Sequence, residues 1–212
     1  MGNTSFECGR VFCIGRNYVE HIRELSNATP TKPLFFIKPA SCLVKPGNKI
    51  HFPKHGSELH HEVEVVVQIN RGGKVTTEEE ARNAIGFITL GLDLTLRDVQ
   101  DEQKKKGLPW EIAKAFDQSS PIGKFIPFDK SIDLSNISFA CTVNGIEKQR
   151  GNTGHMMISI QKQLLELSKI WSLLPGDILY TGTPSGVGPL KIGDTIEIAS
   201  DIIGSYSWSI VE

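Results

Sequence analysis

Two glutamates stand two residues apart where a long apolar run begins, in the stretch ELHHEVEVVVQI at residues 58–69. Side chains alternate between the two faces of a β-strand, so Glu62 and Glu64 are expected on one face and the intervening valines on a buried face. Two neighbouring carboxylates repel each other, and partial burial makes that repulsion worse. A nearby lysine, arginine or divalent cation would relieve it.

A third acid, Asp93, interrupts an apolar run at residues 87–96, where an unpaired charge is unfavourable. Three carboxylates, with water completing the coordination, suit Mg²⁺ or Mn²⁺ in octahedral oxygen geometry. Zinc is less favoured because its catalytic sites prefer histidine, and strand alternation sends His60 and His61 to opposite faces. By itself, however, the E-x-E spacing is better explained by a solvent-facing strand, where such pairs are common.

Short runs rich in β-branched and aromatic residues predict most of the secondary structure as strands. The clearest are residues 34–37, 63–69, 85–94, 138–143, 177–181 and 195–198. Helices are predicted at residues 77–86, which begin with a capping box, at 98–106 and at 156–170. The length suits a single catalytic domain over residues 1–212, in which the proline-punctuated residues 1–50 could form a small N-terminal lobe.

Composition argues against nucleic-acid and membrane partners. The 212 residues are 39% hydrophobic and 22% charged, with a net charge of −1, and no apolar run reaches the length of a membrane span. The basic run at residues 104–106 follows Asp101 and Glu102 and is interpreted as a solvated helix face. The four cysteines show no C-x-x-C spacing, and the N-terminus has no secretory signal pattern, so a cytoplasmic protein with reduced thiols is expected.

Further motifs surround the three acids. They are GRNYVEHI at 15–22, PLFFIKP at 33–39, HHEVE at 60–64, DLTLRDVQ at 93–100, KGLPW at 106–110 with AKAF at 113–116, and YTGTPSGVG at 180–188. In this order they resemble the fumarylacetoacetate hydrolase family, in particular its short acylpyruvate hydrolase and oxaloacetate decarboxylase members, over roughly residues 10–200. The resemblance implies a rolled mixed β-sandwich with a few short helices, a homodimer, and Mg²⁺ or Mn²⁺ held by Glu62, Glu64 and Asp93.

The resemblance also implies roles for other residues. His21 and Glu24 match a catalytic dyad on a lid segment within residues 1–50, and Lys114 matches an active-site lysine that stabilises negative charge on an enolate. Taken alone, His21 would be interpreted as a surface histidine and Lys114 as a helix-surface lysine. The candidates for binding the substrate are Arg16, Lys38, Arg97, Gln100 and Thr183.

The function expected first is metal-dependent hydrolysis of a C–C bond in small 2,4-dioxo acids, the acylpyruvates, through a metal-stabilised pyruvate enolate. Oxaloacetate decarboxylation or keto–enol tautomerisation comes second, and an isomerase or decarboxylase step of aromatic catabolism third. These reactions pass through the same kind of intermediate, so the sequence does not choose among them. A metal-dependent binding module without catalysis is the alternative from a different class.

Overall fold

The computed structural model describes residues 7–25, 28 and 30–212. Its helices are α1 Val19–Glu24, α2 Glu78–Ala84, α3 Arg97–Lys106, α4 Glu111–Lys114 and α5 Ile160–Ile170, with short 3₁₀ helices at Ala40–Cys42 and Thr153–His155. Its strands are β1 Arg10–Gly15, β2 Leu34–Pro39, β3 Leu43–Val44, β4 Lys49–His51, β5 Leu59–His61, β6 Val63–Ile69, β7 Ile85–Leu92, β8 Thr95–Leu96, β9 Ser120–Pro121, β10 Ile126–Pro127, β11 Ser138–Val143, β12 Ile146–Asn152, β13 Ile178–Tyr180, β14 Gly188–Pro189, β15 Thr195–Ser200 and β16 Gly204–Val211.

Two large mixed sheets form the body of the molecule. The six-stranded sheet has the order β10-β7-β6-β13-β1-β2 and the five-stranded sheet the order β12-β11-β15-β16-β4. Within them β1 runs parallel to β13 and β16 parallel to β4, whereas the other neighbours are antiparallel. The two sheets share one apolar core, to which the first contributes Val65 and Leu90 and the second Ile196 and Trp208. The predicted β-rich sandwich with few short helices is confirmed.

Strand β6 lies in the middle of the six-stranded sheet and is buried on both faces. Val65 and Val67 belong to the core between the sheets, while Val66 packs in a second apolar cluster with Val11 and Tyr180. The alternation of faces is therefore as expected, but the face shared by Glu64 and Val66 is also covered. Every residue of β6 is buried, so a charge on either face needs a partner.

Local sequence signals set several helix ends. Thr77 Oγ1 accepts a hydrogen bond from the Glu80 N–H at 3.1 Å, which caps α2, and Gly107 ends α3 in the left-handed region at φ 64°. Helix α5 is shorter than predicted. Its cap is Ser159, whose Oγ accepts from the Lys162 N–H at 3.3 Å, so the helix begins at Ile160 and leaves the four preceding residues outside.

The early strands pair with strands from much later in the chain. Strand β1 lies beside β13 and β4 beside β16, so residues 10–15 and 49–51 belong to the two large sheets. Among the described residues, no helix is both long enough and apolar enough to cross a membrane.

Candidate active site

The three acids singled out from the sequence meet at one end of β6 and β7. Glu62 lies in the break between β5 and β6, Glu64 is in β6, and Asp93 directly follows β7. The strands pair antiparallel with Glu64 opposite Gly91, and the Asp93 N–H donates to the Glu62 carbonyl oxygen at 2.8 Å. All three acids are buried, and one oxygen from each carboxylate lies within 4.8 Å of the others. The fold therefore brings together acids that are up to 31 positions apart, from Glu62 to Asp93.

Three buried cations contact two of these acids. Lys114, at the end of α4, donates to Glu62 Oε2 at 2.8 Å and to Asp93 Oδ2 at 2.6 Å. Arg97, at the start of α3, donates through Nη2 to Glu62 Oε1. Lys38, in β2, places Nζ 2.6 Å from Asp93 Oδ1, although its better directed hydrogen bond goes to the Ser119 carbonyl oxygen at 2.8 Å.

These contacts shift the pKa values of Glu62 and Lys114. Burial alone would raise the pKa of Glu62, but Lys114 and Arg97 outweigh it and hold that pKa below its usual value. Burial alone would lower the pKa of Lys114, but Asp93 and Glu62 outweigh it and raise that pKa. Both partners are therefore ionised at neutral pH.

Glu64 differs from the other two acids because it has no ion pair with a lysine or arginine in the described part of the chain. Its Oε2 accepts a hydrogen bond from the Gly182 N–H at 2.6 Å. Burial raises the pKa of Glu64 well above its usual value, and the nearby Asp93 adds to the rise. Asp93 Oδ1 has the ion-pair contact with Lys38 Nζ, but among the described residues it has no partner with good hydrogen-bond geometry.

A buried acid without a counter-charge, beside two others, fits a divalent cation. Carboxylate oxygens are the ligands that Mg²⁺ and Mn²⁺ prefer, and water commonly completes their coordination. Glu62, Glu64 and Asp93 would hold the ion. Lys114 contacts two of these acids, so the lysine and the ion would share them.

Helix α1 closes over the acids and carries the predicted dyad. His21 is buried, and its Nδ1 lies 3.4 Å from Glu24 Oε2. The other oxygen of Glu24 accepts from the Gly186 N–H at 2.9 Å, which fastens the helix to the loop after β13. Burial lowers the pKa of His21, while Glu62 and the Glu24 hydrogen bond act in the opposite direction. The imidazole is therefore neutral at pH 7, with Nε2 as the nitrogen that Glu24 leaves free.

A pocket of about 410 Å³, part of it open to solvent, lies between α1 and the acids. Every predicted site residue lines the pocket except Glu24 and Lys38. Glu24 acts behind His21, and Lys38 lies fully buried behind Asp93.

Two of the residues predicted to bind the substrate already have partners within the protein. Lys38 is not among the residues that line the pocket, and its Nζ lies 2.6 Å from Asp93 Oδ1, where it would orient that acid. Thr183 lines the pocket, but its hydroxyl donates to the Val63 carbonyl oxygen at 2.9 Å and accepts from Gln149 Nε2 at 2.8 Å. Its hydroxyl proton is therefore not free for a substrate.

The remaining candidates for binding the substrate all line the pocket. Arg97 takes the alternative role considered for it, because it pairs with Glu62, and its Nη1 donates to Gln100 Oε1 at 2.6 Å. Because Gln100 Oε1 accepts that bond, its amide N–H groups, for which the described residues provide no acceptor, could donate to a ligand in the pocket that Gln100 lines. Arg16 lines the pocket on the lid side.

Three residues in or beside the pocket were not predicted from the sequence. Lys104 and Trp110 line the pocket, and Gln149 connects His61 Nδ1, at 2.9 Å, to the Thr183 loop. Lys104 was interpreted as part of a solvated helix face, but it lies one turn after Gln100 on the same face of α3, and this spacing could have identified it. No local pattern identifies Gln149, which arrives from the other sheet.

Comparison with known proteins places this arrangement in a family. The sequence model described as fumarylacetoacetate (FAA) hydrolase C-terminal matches residues 10–211. The chain belongs to the fumarylacetoacetate hydrolase family. The oxaloacetate tautomerase FAHD1, mitochondrial, of Bos taurus is 42% identical over 187 residues, covering 88% of this chain and 85% of that protein. The mitochondrial oxaloacetate decarboxylase of Dictyostelium discoideum is 42% identical over 197 residues, covering 92% of this chain and 90% of that protein.

A solved structure of this family agrees in fold. The fumarylpyruvate hydrolase of Pseudomonas aeruginosa, crystallised in complex with Mn²⁺ and pyruvate, superposes with a TM-score of 0.93 at 34% sequence identity, covering 99% of this chain and 92% of that one. The fumarylacetoacetate hydrolase family thus includes enzymes named as tautomerases, decarboxylases and hydrolases, and the relative in that crystal binds a divalent metal.

Proposed function

We propose that this chain is a divalent-metal-dependent enzyme that interconverts the keto and enol forms of oxaloacetate. The observation that carries the proposal is that a neutral imidazole and three buried carboxylates open into one small pocket. A tautomerase needs one base beside a polarised 2-oxo acid and no positioned water. The relatives at 42% identity are named for oxaloacetate, which supports this substrate over an acylpyruvate.

Residues on the lid move the proton. In the keto-to-enol direction His21 Nε2 removes a proton from C3, and the electron pair of that C–H bond forms the C2–C3 double bond as the C2=O electrons move onto oxygen. The proton on His21 then passes to that oxygen, which gives the enol and restores the neutral imidazole. The reverse sequence returns the keto form. Glu24 holds Nδ1 of the same ring, which fixes its orientation and favours a proton on Nδ1, leaving Nε2 free to accept.

Other residues prepare the inner end of the pocket. A divalent ion held by the three acids would act as a Lewis acid on the 2-oxo group and orient its oxygens. Lys114 contributes a positive charge where negative charge develops on the enolate, and Gln100 offers an amide N–H to a substrate oxygen. Burial of these groups strengthens each electrostatic contact.

Acylpyruvate hydrolysis, the first expectation from the sequence, becomes the second candidate. The relative named fumarylpyruvate hydrolase favours it. In that reaction His21 would deprotonate a water, the water would attack the distal carbonyl, and the C3–C4 bond would break to leave pyruvate enolate. Decarboxylation of oxaloacetate breaks the same bond and releases CO₂, and it needs no attacking water.

The test is an assay of three reactions with Mg²⁺ and again with a chelator. Tautomerisation is followed as loss of enol-oxaloacetate absorbance, decarboxylation as pyruvate formed from oxaloacetate, and hydrolysis as pyruvate formed from acetylpyruvate. We expect metal-dependent tautomerisation to be the fastest. Equal rates with ion and with chelator, or a dominant hydrolysis of acetylpyruvate, would overturn the proposal.

Replacing the proposed base separates an enzyme from a binding module. His21→Ala is expected to lose about 10²–10⁴-fold in turnover, the usual contribution of a general base, while still binding the ion. His155→Ala, an exposed histidine outside this pocket, is the matched control and should keep wild-type turnover. An unchanged rate in His21→Ala would remove it from the mechanism.

A further inference from the structure

Two cations lie together on the pocket wall nearer to solvent than the acids. Arg16 follows β1 and precedes the lid helix, and Lys104 projects from α3. Both approach the indole of Trp110: Arg16 Cζ lies 6.0 Å and Lys104 Nζ 5.9 Å from the ring centroid. Each of these side chains is partly buried, in contrast to the more deeply buried acids below them.

The charges of these two residues are poorly compensated in the described part of the chain. Arg16 forms no ion pair there, and its Nη1 donates to the Ala28 carbonyl oxygen at 3.3 Å. Lys104 has one carboxylate contact, 3.4 Å from the mostly exposed Asp101. Burial lowers the pKa of Lys104, and the positive charge of Arg97 lowers it further, which shows that like charges crowd this wall.

The backbone at Arg16 is also unusual. Its φ of 60° lies in the left-handed region, which a residue with a Cβ rarely adopts because of steric strain. The neighbouring Gly15 would have adopted that conformation without strain. A strained arginine, crowded by another cation and open to the pocket, is the arrangement expected of a side chain that meets an anionic ligand.

We propose that Arg16 and Lys104, supported by Trp110, form a subsite for the distal carboxylate of a 2-oxo dicarboxylic acid. This inference rests on the proposed function, because the inner end of the pocket would hold the 2-oxo acid part of the same molecule. The subsite selects four-carbon dicarboxylates over acylpyruvates such as acetylpyruvate, which carry a methyl group where the two cations need a negative charge. Lys104 and Trp110 are then specificity-determining residues of this chain.

The test uses two unreactive probes of equal length. Malate carries the distal carboxylate, and 2-hydroxybutanoate has a methyl group in its place; neither can enolise as a 2-oxo acid. Binding of each is measured by calorimetry in Mg²⁺ for the wild type, Lys104→Met, Arg16→Gln and the control Lys105→Met, an exposed neighbour outside the pocket. The probe without the distal carboxylate also reports whether each variant keeps an intact inner pocket.

We expect the wild type to bind malate at least about 10-fold more tightly than 2-hydroxybutanoate, a difference of about 1.4 kcal/mol. Lys104→Met and Arg16→Gln should each lose about 10-fold for malate and less than about 2-fold for 2-hydroxybutanoate. Lys105→Met should match the wild type. Equal affinity of the wild type for the two probes, or equal losses for both probes in the variants, would overturn the subsite.

The outcome is independent of turnover. If the wild type fails to convert oxaloacetate but prefers malate through Lys104 and Arg16, the proposed reaction is wrong and the dicarboxylate subsite stands. If oxaloacetate is converted but the variants bind malate as the wild type does, the reaction stands and the subsite is wrong.

Discussion

Glu64 offers the sharpest test of the metal site, because it is the one of the three acids that forms no ion pair with a lysine or arginine among the described residues. Glu62, Glu64 and Asp93 bring three negative charges, and Lys38, Lys114 and Arg97 bring three positive ones, but all ion pairs go to Glu62 and Asp93. The change Glu64→Gln removes the unmatched charge. It keeps an amide oxygen that can accept the Gly182 N–H.

Two effects of opposite sign follow for the free energy of unfolding. In the metal-free protein Glu64 is a buried carboxyl group without a counter-ion, so a neutral amide of the same shape should give a Tm equal to or above that of the wild type. With Mg²⁺ at about 100 times its Kd, the wild type should gain about 2.7 kcal/mol. For a chain of this size, a gain of that order raises Tm by roughly 5–11 °C. If the variant binds the ion about 100-fold more weakly, its gain at the same concentration falls to about 0.4 kcal/mol, or roughly 1–2 °C.

The assay is a thermal melt of chelator-treated protein, titrated with Mg²⁺ at constant pH and ionic strength. Glu58→Gln is the matched control, since Glu58 is exposed and only six positions away. Its metal-dependent rise in Tm should equal that of the wild type. A wild-type Tm that Mg²⁺ does not move, or a Glu64→Gln variant that gains as much as the wild type, would refute the metal site.

Three further predictions concern the lid, the loop that holds it and the frame of the sheet. Because burial lowers the pKa of His21 below 6.5, the midpoint of the decline of kcat/KM with falling pH should lie below pH 6.5; a midpoint above 6.5 would contradict this. Gly186→Ala would place a Cβ 2.1 Å from a carbonyl oxygen and displace the N–H that binds Glu24, so kcat/KM should fall by at least about 10-fold, whereas Gly145→Ala, also at positive φ but with open space, should keep its activity. Asp177→Asn weakens a largely buried pair with Arg10, and its Tm should drop by roughly 4–8 °C, for about 2 kcal/mol, without a change in KM.

The elements that the sequence predicts well are those whose signals are local. The valine run of β6 and the Thr77 cap of α2 carry their own patterns, and both lie where predicted. The start of α5 was misplaced because Met156 continues the apolar spacing of the helix, although Ser159 provides the cap. Strand β1 was not predicted, although residues 11–14 form an apolar run, because four residues do not distinguish a strand from another buried segment.

The residues of the site also differ in whether a local pattern identifies them. Glu62 and Glu64 stand out in sequence because a charge interrupts an apolar pattern, and that contrast survives without any structure. The contact of Lys38 could not be predicted, because a lysine in an apolar strand looks the same from sequence whether it meets a substrate or an acid of the protein. The structure separates the two roles through one contact, the 2.6 Å approach of its Nζ to Asp93.

The charges at the inner end of the pocket explain why the acids do not by themselves determine which of the three reactions occurs. Three acids and three cations cancel at the inner end of the pocket, so a divalent ion would add two positive charges there and favour an anionic 2-oxo acid whatever happens to it next. Under the proposed function the inner end would favour enolate chemistry in general, and the relatives of this chain are named for three different reactions, a tautomerase, a decarboxylase and a hydrolase. The choice among them depends on what stands above the acids: whether His21 reaches C3 or a water, and whether Arg16 and Lys104 meet a carboxylate. Both features lie on or beside the lid, so variation in the lid and in α3 can change the reaction while the three acids stay the same.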